Sequence, residues 1–393
     1  MIRRYGVEFL ATRGSRLNVQ QRKVLAALAA CRTAAMGGHL QRCTTCGTQT
    51  PLYNSCGNRH CPKCQAADRA AWLEGRRREL LPVEYFHVVF TVPHELGPLA
   101  AAHPALFYKL LFRAVRETLL QVAATPRHLG AQIGGLMVLH TWGQALELHP
   151  HVHVIVPGGG LSPDGQRWVS CKPGFFLPVR VLSRLLRGKL LAFLKQAYDR
   201  EELSWTGGLA PLADPQQFAR FLSPLYQKEW AVYAKPPHHG PEQALKYLAR
   251  YTYRVAISNE RIESVEDGLV TFRYKDYAHG HRLRRMTLPA QEFLRRFMQH
   301  VLPRGFVRIR SFGLLAHRGR EEQLARCRQL LHVAESEGPL GQGEQLVSSA
   351  AEVEITRCPF CGQGTLQLVA RAPRPRVSEL VASTYQHLIF DTS

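Results

Sequence analysis

The sequence predicts an α+β fold: an antiparallel sheet with flanking helices, preceded by a small helical and zinc-knuckle module. Three observations predict it. The stretch Leu146-Glu-Leu-His-Pro-His-Val-His-Val-Ile-Val156 ends in β-branched residues and is stopped by Pro157 and Gly158 to Gly160, the pattern of a terminated strand. Around it the periodicity runs strand, helix, strand, strand, which suits helices packed on an antiparallel sheet. Ahead of all this, five cysteines crowd between Cys43 and Cys64, too close together for an ordinary core.

Taken in order, residues 18–33 are helix material, with Asn18 as cap and a partial apolar stripe through Val19, Leu25, Leu28 and Ala29. Gly37-Gly38 ends it. Residues 69–81 look helical and arginine-rich. Residues 85–92 form a strand stopped by Pro93, and 106–123 an amphipathic helix with apolar residues at 107, 110, 111, 115 and 119. Residues 135–142 and the histidine stretch form a hairpin. A loop with short strands covers 161–180 and a helix 181–199. Residues 205–237, with their prolines and aromatics, read as an irregular insertion. Strands follow at 255–262 and 269–274. Residues 330–353 read as a linker, and from Arg371 the tail is Pro/Arg-rich and partly disordered. The implied units are residues 1–80, a helix and zinc module; 81–325, a sheet domain with a basic portion; and 326–393, linker and tail with a lone Cys-x-x-Cys knuckle.

Successive strand side chains alternate faces, so His151 and His153 share one face and Val152, Val154 and Val156 take the other. Two neighbouring imidazoles are half of a metal site. Gln144, seven residues earlier, would be carried towards them by an antiparallel partner strand. An amide oxygen with two neutral imidazoles leaves coordination positions open, as Mg²⁺ or Mn²⁺ acting on a phosphate requires. His149 has the same parity, but Pro150 interrupts the ladder.

The knuckles Cys43-x-x-Cys46-Gly47 and Cys61-Pro-x-Cys64 would complete a tetrahedral zinc site. Cys56, His60 and His39 remain, either for a second site or as exchange ligands in the first. Cys31, Cys171 and Cys327 are isolated and read as buried thiols. Cys358-Pro-Phe-Cys361-Gly362 is a lone knuckle, either a zinc half-site or a partner for an N-terminal ligand. Without a secretory signal, such clustering indicates metal rather than disulfides.

A chain of 393 residues suggests two or three domains, and 45% hydrophobic residues a folded one. The net charge of +21 points to a polyanionic partner, most commonly nucleic acid. No long apolar run supports a membrane partner. Residues 281–320 hold ten arginines against a single acid, Glu292. Arg308 and Arg310 alternate with Val307 and Ile309, a strand with one basic face for tracking phosphates. In residues 241–254, Tyr247 and Tyr251 are four apart on one helix face, with Arg250, Arg254 and Lys246 beside them. A tyrosine oxygen can attack a phosphodiester whose charge a divalent ion offsets, leaving a 5′-phosphotyrosine and a free 3′-hydroxyl.

The run from His149 through His151-Val-His153 to the glycines resembles the His-hydrophobic-His motif of HUH endonucleases. Tyr247-Leu-Ala-Arg-Tyr251 resembles the paired-tyrosine motif of the transposases of insertion sequence family 91. The segment from Cys31-Arg-Thr through His39 to Asn58-Arg-His-Cys-Pro-Lys-Cys64 is similar to that family's N-terminal zinc module. The resemblance spans roughly residues 20–320. It implies an HUH-endonuclease-like sheet. It implies that Tyr247 and Tyr251 are nucleophiles, that His151 and His153 bind the catalytic ion and that Gln144 stands where a third polar ligand often sits. It implies a bacterial enzyme of the cytoplasm, associated with the nucleoid while acting. Such an enzyme nicks and rejoins single-stranded DNA at the ends of a mobile element, by a rolling-circle-like route. A replication initiator or relaxase with the same chemistry, and a zinc-containing nucleic-acid-binding protein without catalysis, are the alternatives.

Overall fold

The computed structural model describes residues 1–65, 75–235, 256–277, 279–332, 357–374 and 376. The chain opens with helices α1 (Ile2–Arg13) and α2 (Val19–Ala30). Asn18 caps α2 by accepting from the Gln21 N–H, while the Gln21 side chain accepts from the Asn18 N–H, a reciprocal capping box. Strands β1 (Gly38–Cys43) and β2 (Gln49–Tyr53) follow. The larger unit starts with β3 (Tyr85–Thr91), then helices α3 (Gly97–Ala102) and α4 (Pro104–Ala124), and the hairpin β4 (Gly134–Trp142) and β5 (Leu148–Pro157). Short strands β6 (Gly159–Leu161) and β7 (Trp168–Ser170) lead to helix α5 (Val179–Asp199).

Two elements occupy the stretch expected to be irregular: helix α6 (Pro215–Gln227) and strand β8 (Val232–Lys235). Asp214 caps α6 by accepting from the Gln217 N–H, and Phe218, Leu222 and Leu225 give it a buried face. Residues 256–261 are not a strand; they form bends and a 3₁₀ turn. Pairing starts at β9 (Ile262–Glu266) and continues through β10 (Leu269–Asp276) and β11 (Arg282–Pro289). Helix α7 (Ala290–Met298), strand β12 (Ile309–Gly313), helix α8 (Arg320–Leu330) and strand β13 (Leu366–Ala372) complete the described order. Strand β13 therefore carries regular structure past Arg371, where the Pro/Arg-rich tail begins, to Ala372. The linker expected at 330–353 lies mostly outside the described residues. So do residues 69–74 of the arginine-rich helix, of which Gly75–Arg77 are helical.

Among the described residues, the main sheet has the order β12-β4-β5-β3-β8, antiparallel throughout. The histidine strand β5 is its middle member. Phe86, Val88, Phe90, Met137, Leu139, Val152, Val154 and Val156 point to one face and pack on α4 and α5. The other face carries Tyr85, Leu136, Val138 and Ile155 as a smaller apolar cluster, with the histidines further along it. A second core joins the chain's start to its later part. Phe9, Leu10, Val24 and Leu25 of α1 and α2 pack with Phe272 of β10 and with Phe293, Leu294 and Phe297 of α7. Burial of that apolar surface, at roughly 25 cal/mol per Å², is what unites segments more than 200 residues apart.

Candidate functional site: a three-histidine cluster on the central hairpin

The hairpin places three imidazoles together. In the β4–β5 ladder, His140 stands opposite His151, and Val138 opposite His153. Residues directly opposite share a face, and so do residues two apart, which puts His140, His151 and His153 on one side. One ligand nitrogen from each lies within 4.8 Å of the others. The ring centroids are 4.5 Å apart for His140 and His153, and 4.8 Å for His151 and His153.

The surroundings fix which nitrogen each ring can offer. His151 Nδ1 is 2.7 Å from the carbonyl of His149. It must donate there, so the Nε2 lone pair is available. His153 Nδ1 is 2.8 Å from His87 Nε2, with the two rings nearly parallel. Burial lowers the His87 pKa to about 4, so His87 stays neutral and can accept from His153 Nδ1–H. A hydrogen bond of this kind orients a ligating imidazole and raises its basicity. Three imidazole nitrogens converging on one face of the hairpin fit a divalent transition ion.

Side chains beyond the sheet hold the hairpin turn. Arg261 Nη2 donates to the carbonyl of Gln144, and Arg296 Nη1 to that of Ala145 at 3.0 Å. Gln299 Nε2 and His300 Nε2 both donate to the Leu146 carbonyl, at 2.7 and 3.2 Å. His300 Nδ1 then accepts from the Thr141 hydroxyl at 3.2 Å. Burial pushes the His300 pKa down to about 4, which keeps the ring neutral for this double role. Leu146 is fully buried with φ of +62°, a conformation unfavourable for a branched side chain. It is held by those bonds and by packing against α7.

Gln144 is not where the sequence put it. Its Oε1 accepts from the Lys275 backbone N–H at 3.4 Å, and its carbonyl is taken by Arg261. The group brought to His151 and His153 is His140. The signal was present in the sequence: a hairpin register with His140 opposite His151 delivers that side chain, whereas seven-residue proximity favoured Gln144. Tyr247, Tyr251, Arg250 and Arg254 lie outside the described residues. Lys235 ends β8 opposite His87, and Ala256 and Ile257 share a core with Leu146.

The basic strand differs from expectation. Arg308 precedes β12 and is buried, its Nη2 donating to Gln65 Oε1 at 2.8 Å. Arg310 lies over the rings of Phe112 and Phe306, 4.4 and 5.2 Å from their centroids. Pairing of Arg310 with Met137 turns it to the helix-covered face of the sheet. Arg59, beside the knuckle, is likewise committed, donating to the carbonyls of Pro303 and Phe306. Exposed cations are found instead along β11, where residues Arg282 to Arg285 are all solvent-facing.

The cysteines assemble differently from the pairing of Cys43 and Cys46 with Cys61 and Cys64. All ten are free thiols. One group is Cys31, Cys56, Cys61 and Cys64; the other is Cys43, Cys46, Cys358 and Cys361. In the first, sulfur separations are 3.7 Å for Cys31–Cys64 and Cys31–Cys61 and 3.6 Å for Cys56–Cys64. Four sulfurs about 2.3 Å from a tetrahedral zinc are roughly 3.8 Å apart, so the group has the dimensions of a zinc site. Cys31 is thus a cluster member rather than an isolated thiol. The bond from Cys56 is the largest influence drawing the Cys61 thiol down to about 5. His60 is buried and lowered to about 3 by desolvation. His39 sits in β1, opposite Leu52 and Arg371. Neither histidine is in a cysteine group.

Two stretches of the sequence match transposase family models. Residues 1–92 match the family model described as "Transposase zinc-binding domain", and residues 134–323 the one described as "Putative transposase". The "Putative transposase y4qJ" of Sinorhizobium fredii is 51% identical over 371 residues, 93% of each chain. The "Transposase for insertion sequence element IS801" of Pseudomonas savastanoi pv. phaseolicola is 27% identical, over 85% of this chain and 80% of its own. A solved metal-free structure of the conjugative relaxase TrwC with oriT DNA overlaps 44% of this chain and 68% of its own, at 18% identity and a TM-score of 0.25. The chain belongs to the transposases of insertion sequence family 91. No helix among the described residues is long and apolar enough to cross a membrane.

Proposed function

We propose that this transposase nicks and rejoins single-stranded DNA through 5′-phosphotyrosine intermediates, moving its element by a rolling-circle-like route. The observation that carries the reading is the three-imidazole group on the central hairpin. His140, His151 and His153 would hold a divalent ion, Mn²⁺ or Mg²⁺. Bound there, the ion would offset charge on the scissile phosphate. His87 and the His149 carbonyl keep the His153 and His151 rings turned with Nε2 outward. Tyr247 or Tyr251 supplies the attacking oxygen. The O3′ of the cleaved strand leaves, and the 5′-phosphate remains on the tyrosine. Attack by a 3′-hydroxyl reverses the sequence and reseals DNA. Paired tyrosines four positions apart in the sequence would allow one to hold a donor strand while the other attacks a second.

In the same reading, Cys31, Cys56, Cys61 and Cys64 hold a structural zinc. Arg250 and Arg254, with the exposed arginines of β11, contact the DNA backbone, and the element's ends are the substrate.

The test is a nicking assay on single-stranded DNA from the element's end, resolved on a denaturing gel. A metal-dependent covalent adduct is expected from wild type. Tyr247→Phe/Tyr251→Phe and His151→Ala should give none. An adduct that survives the double tyrosine substitution would remove the proposed nucleophiles.

A further inference from the structure

The second cysteine group joins the two ends of the chain. Cys43 ends β1 and Cys46 follows it; Cys358 and Cys361 precede β13. Sulfur separations are 3.7 Å for Cys43–Cys361 and 3.7 Å for Cys46–Cys358, pairs 318 and 312 residues apart in sequence. These match the roughly 3.8 Å expected around a tetrahedral zinc. The two knuckles are built alike. Each is Cys-x-x-Cys-Gly, and the glycines Gly47 and Gly362 have φ of +74° and +68°, a region glycine adopts without strain. Each glycine N–H donates back to the first cysteine's carbonyl, Gly47 to Cys43 and Gly362 to Cys358. Backbone N–H groups also point at sulfur: Thr45 and Cys46 at Cys43 Sγ, and Gly364 at Cys361 Sγ. Such bonds stabilise thiolate over thiol.

Independent contacts seat the tail beside this group. β13 pairs antiparallel with β1 from Gly38–Ala372 to Cys43–Leu366, so β13, β1 and β2 form one sheet. Thr44 N–H donates to the Thr365 carbonyl, and Thr365 N–H to Thr44 Oγ1. Gly364 lies so close that a Cβ there would sit 2.3 Å from Cys43 Sγ. At the other end of the pairing, a Cβ on Gly37 would sit 2.1 Å from the Pro373 carbonyl. Arg374 then reaches the carbonyl of Cys56, a member of the first group.

We infer that Cys43, Cys46, Cys358 and Cys361 form a second zinc site, which clips the C-terminal segment onto the N-terminal module. The site is separate from the histidine cluster and does not depend on the strand-transfer reading. Four thiolates bind one Zn²⁺, and the thiol protons pass to solvent. No oxidant is needed.

The test is zinc content per full-length chain by mass spectrometry, after dialysis against metal-free buffer. Wild type should hold two. Cys358→Ser/Cys361→Ser and Cys43→Ser/Cys46→Ser should each hold one, and Cys361→His, which restores a ligand, two. Cys61→Ser/Cys64→Ser reports separately on the first group and should also leave one. Hydrogen exchange supplies a second readout. The amides of residues 366–372 should lose protection in Cys358→Ser/Cys361→Ser, while those of β4 and β5 keep theirs. Two zinc ions in both wild type and the tail variant would overturn the inference. So would one zinc in each, or Cys43–Cys361 and Cys46–Cys358 disulfides in the purified protein.

Discussion

His140 and Gln144 compete for one role, and the structure separates them by what each already touches. Gln144 is bonded to β10 through Lys275, whereas His140 stands opposite His151 on the ladder. In metal titrations of nicking, His140→Ala should abolish adduct formation, and Gln144→Ala should leave it within about threefold. An equal loss in both would return Gln144 to the ligand set. His87 offers a finer test. Its ring accepts from His153, so His87→Phe should raise the Mn²⁺ concentration needed for half-maximal activity by about 10- to 100-fold. Saturating Mn²⁺ should restore the rate. Three imidazoles also favour Mn²⁺ over Mg²⁺, which prefers oxygen donors. At this scale the sequence was partly legible. The parity of His151 and His153 follows from the strand period alone. The identity of the third imidazole requires the register, which a β-bulge between His140 and Trp142 shifts.

The β4–β5 hairpin is the element on which the site depends, and α7 with its C-terminal turn sets where its tip lies. His300 is central to that grip and must be neutral to accept from Thr141. Its pKa is about 4 in the fold and about 6.5 when the chain is unfolded. Between those values the unfolded chain binds the extra proton, so stability falls as pH drops from 6.5 towards 4. The loss approaches on the order of 3 kcal/mol. Thermal unfolding across that window should show this slope together with those of buried His87 and His60, and His300→Gln, which can still donate and accept, should reduce it by the His300 share. An unchanged slope would assign the acid sensitivity elsewhere. Elements with strong local signals were readable: the Asn18 cap, the β3 apolar run and the stripe of α4. Helix α6 was missed although Asp214, Pro215 and the Phe218/Leu222/Leu225 spacing announce it; surrounding prolines and aromatics obscured the pattern. The burial of Arg308 was not readable, because its partner Gln65 is 243 positions away.

Across the whole molecule, a charge of +21 would make the proposed binding of single-stranded DNA a counterion-release process. If about six phosphates are neutralised, affinity should fall by roughly 300-fold between 50 and 200 mM salt. A fluorescence titration with an oligonucleotide measures this, and a flat salt dependence would mean that the exposed arginines of β11 do not face the nucleic acid. Long-range assembly was the least legible level. Spacing grouped Cys43 with Cys61 because they are close in sequence, while the fold sends each to partners that no local rule specifies. That division has a consequence in time. Cys43 leaves the ribosome long before Cys358. With partners 312 and 318 residues apart and synthesis at about 5–20 residues per second, the first knuckle waits roughly 15–60 s for the second. Until Cys358 to Ala372 emerge, β1 has an open edge and only half a ligand set. A chain terminated before Cys358 keeps that edge and lacks the clip, so a single thiolate cluster records whether synthesis has passed Cys361.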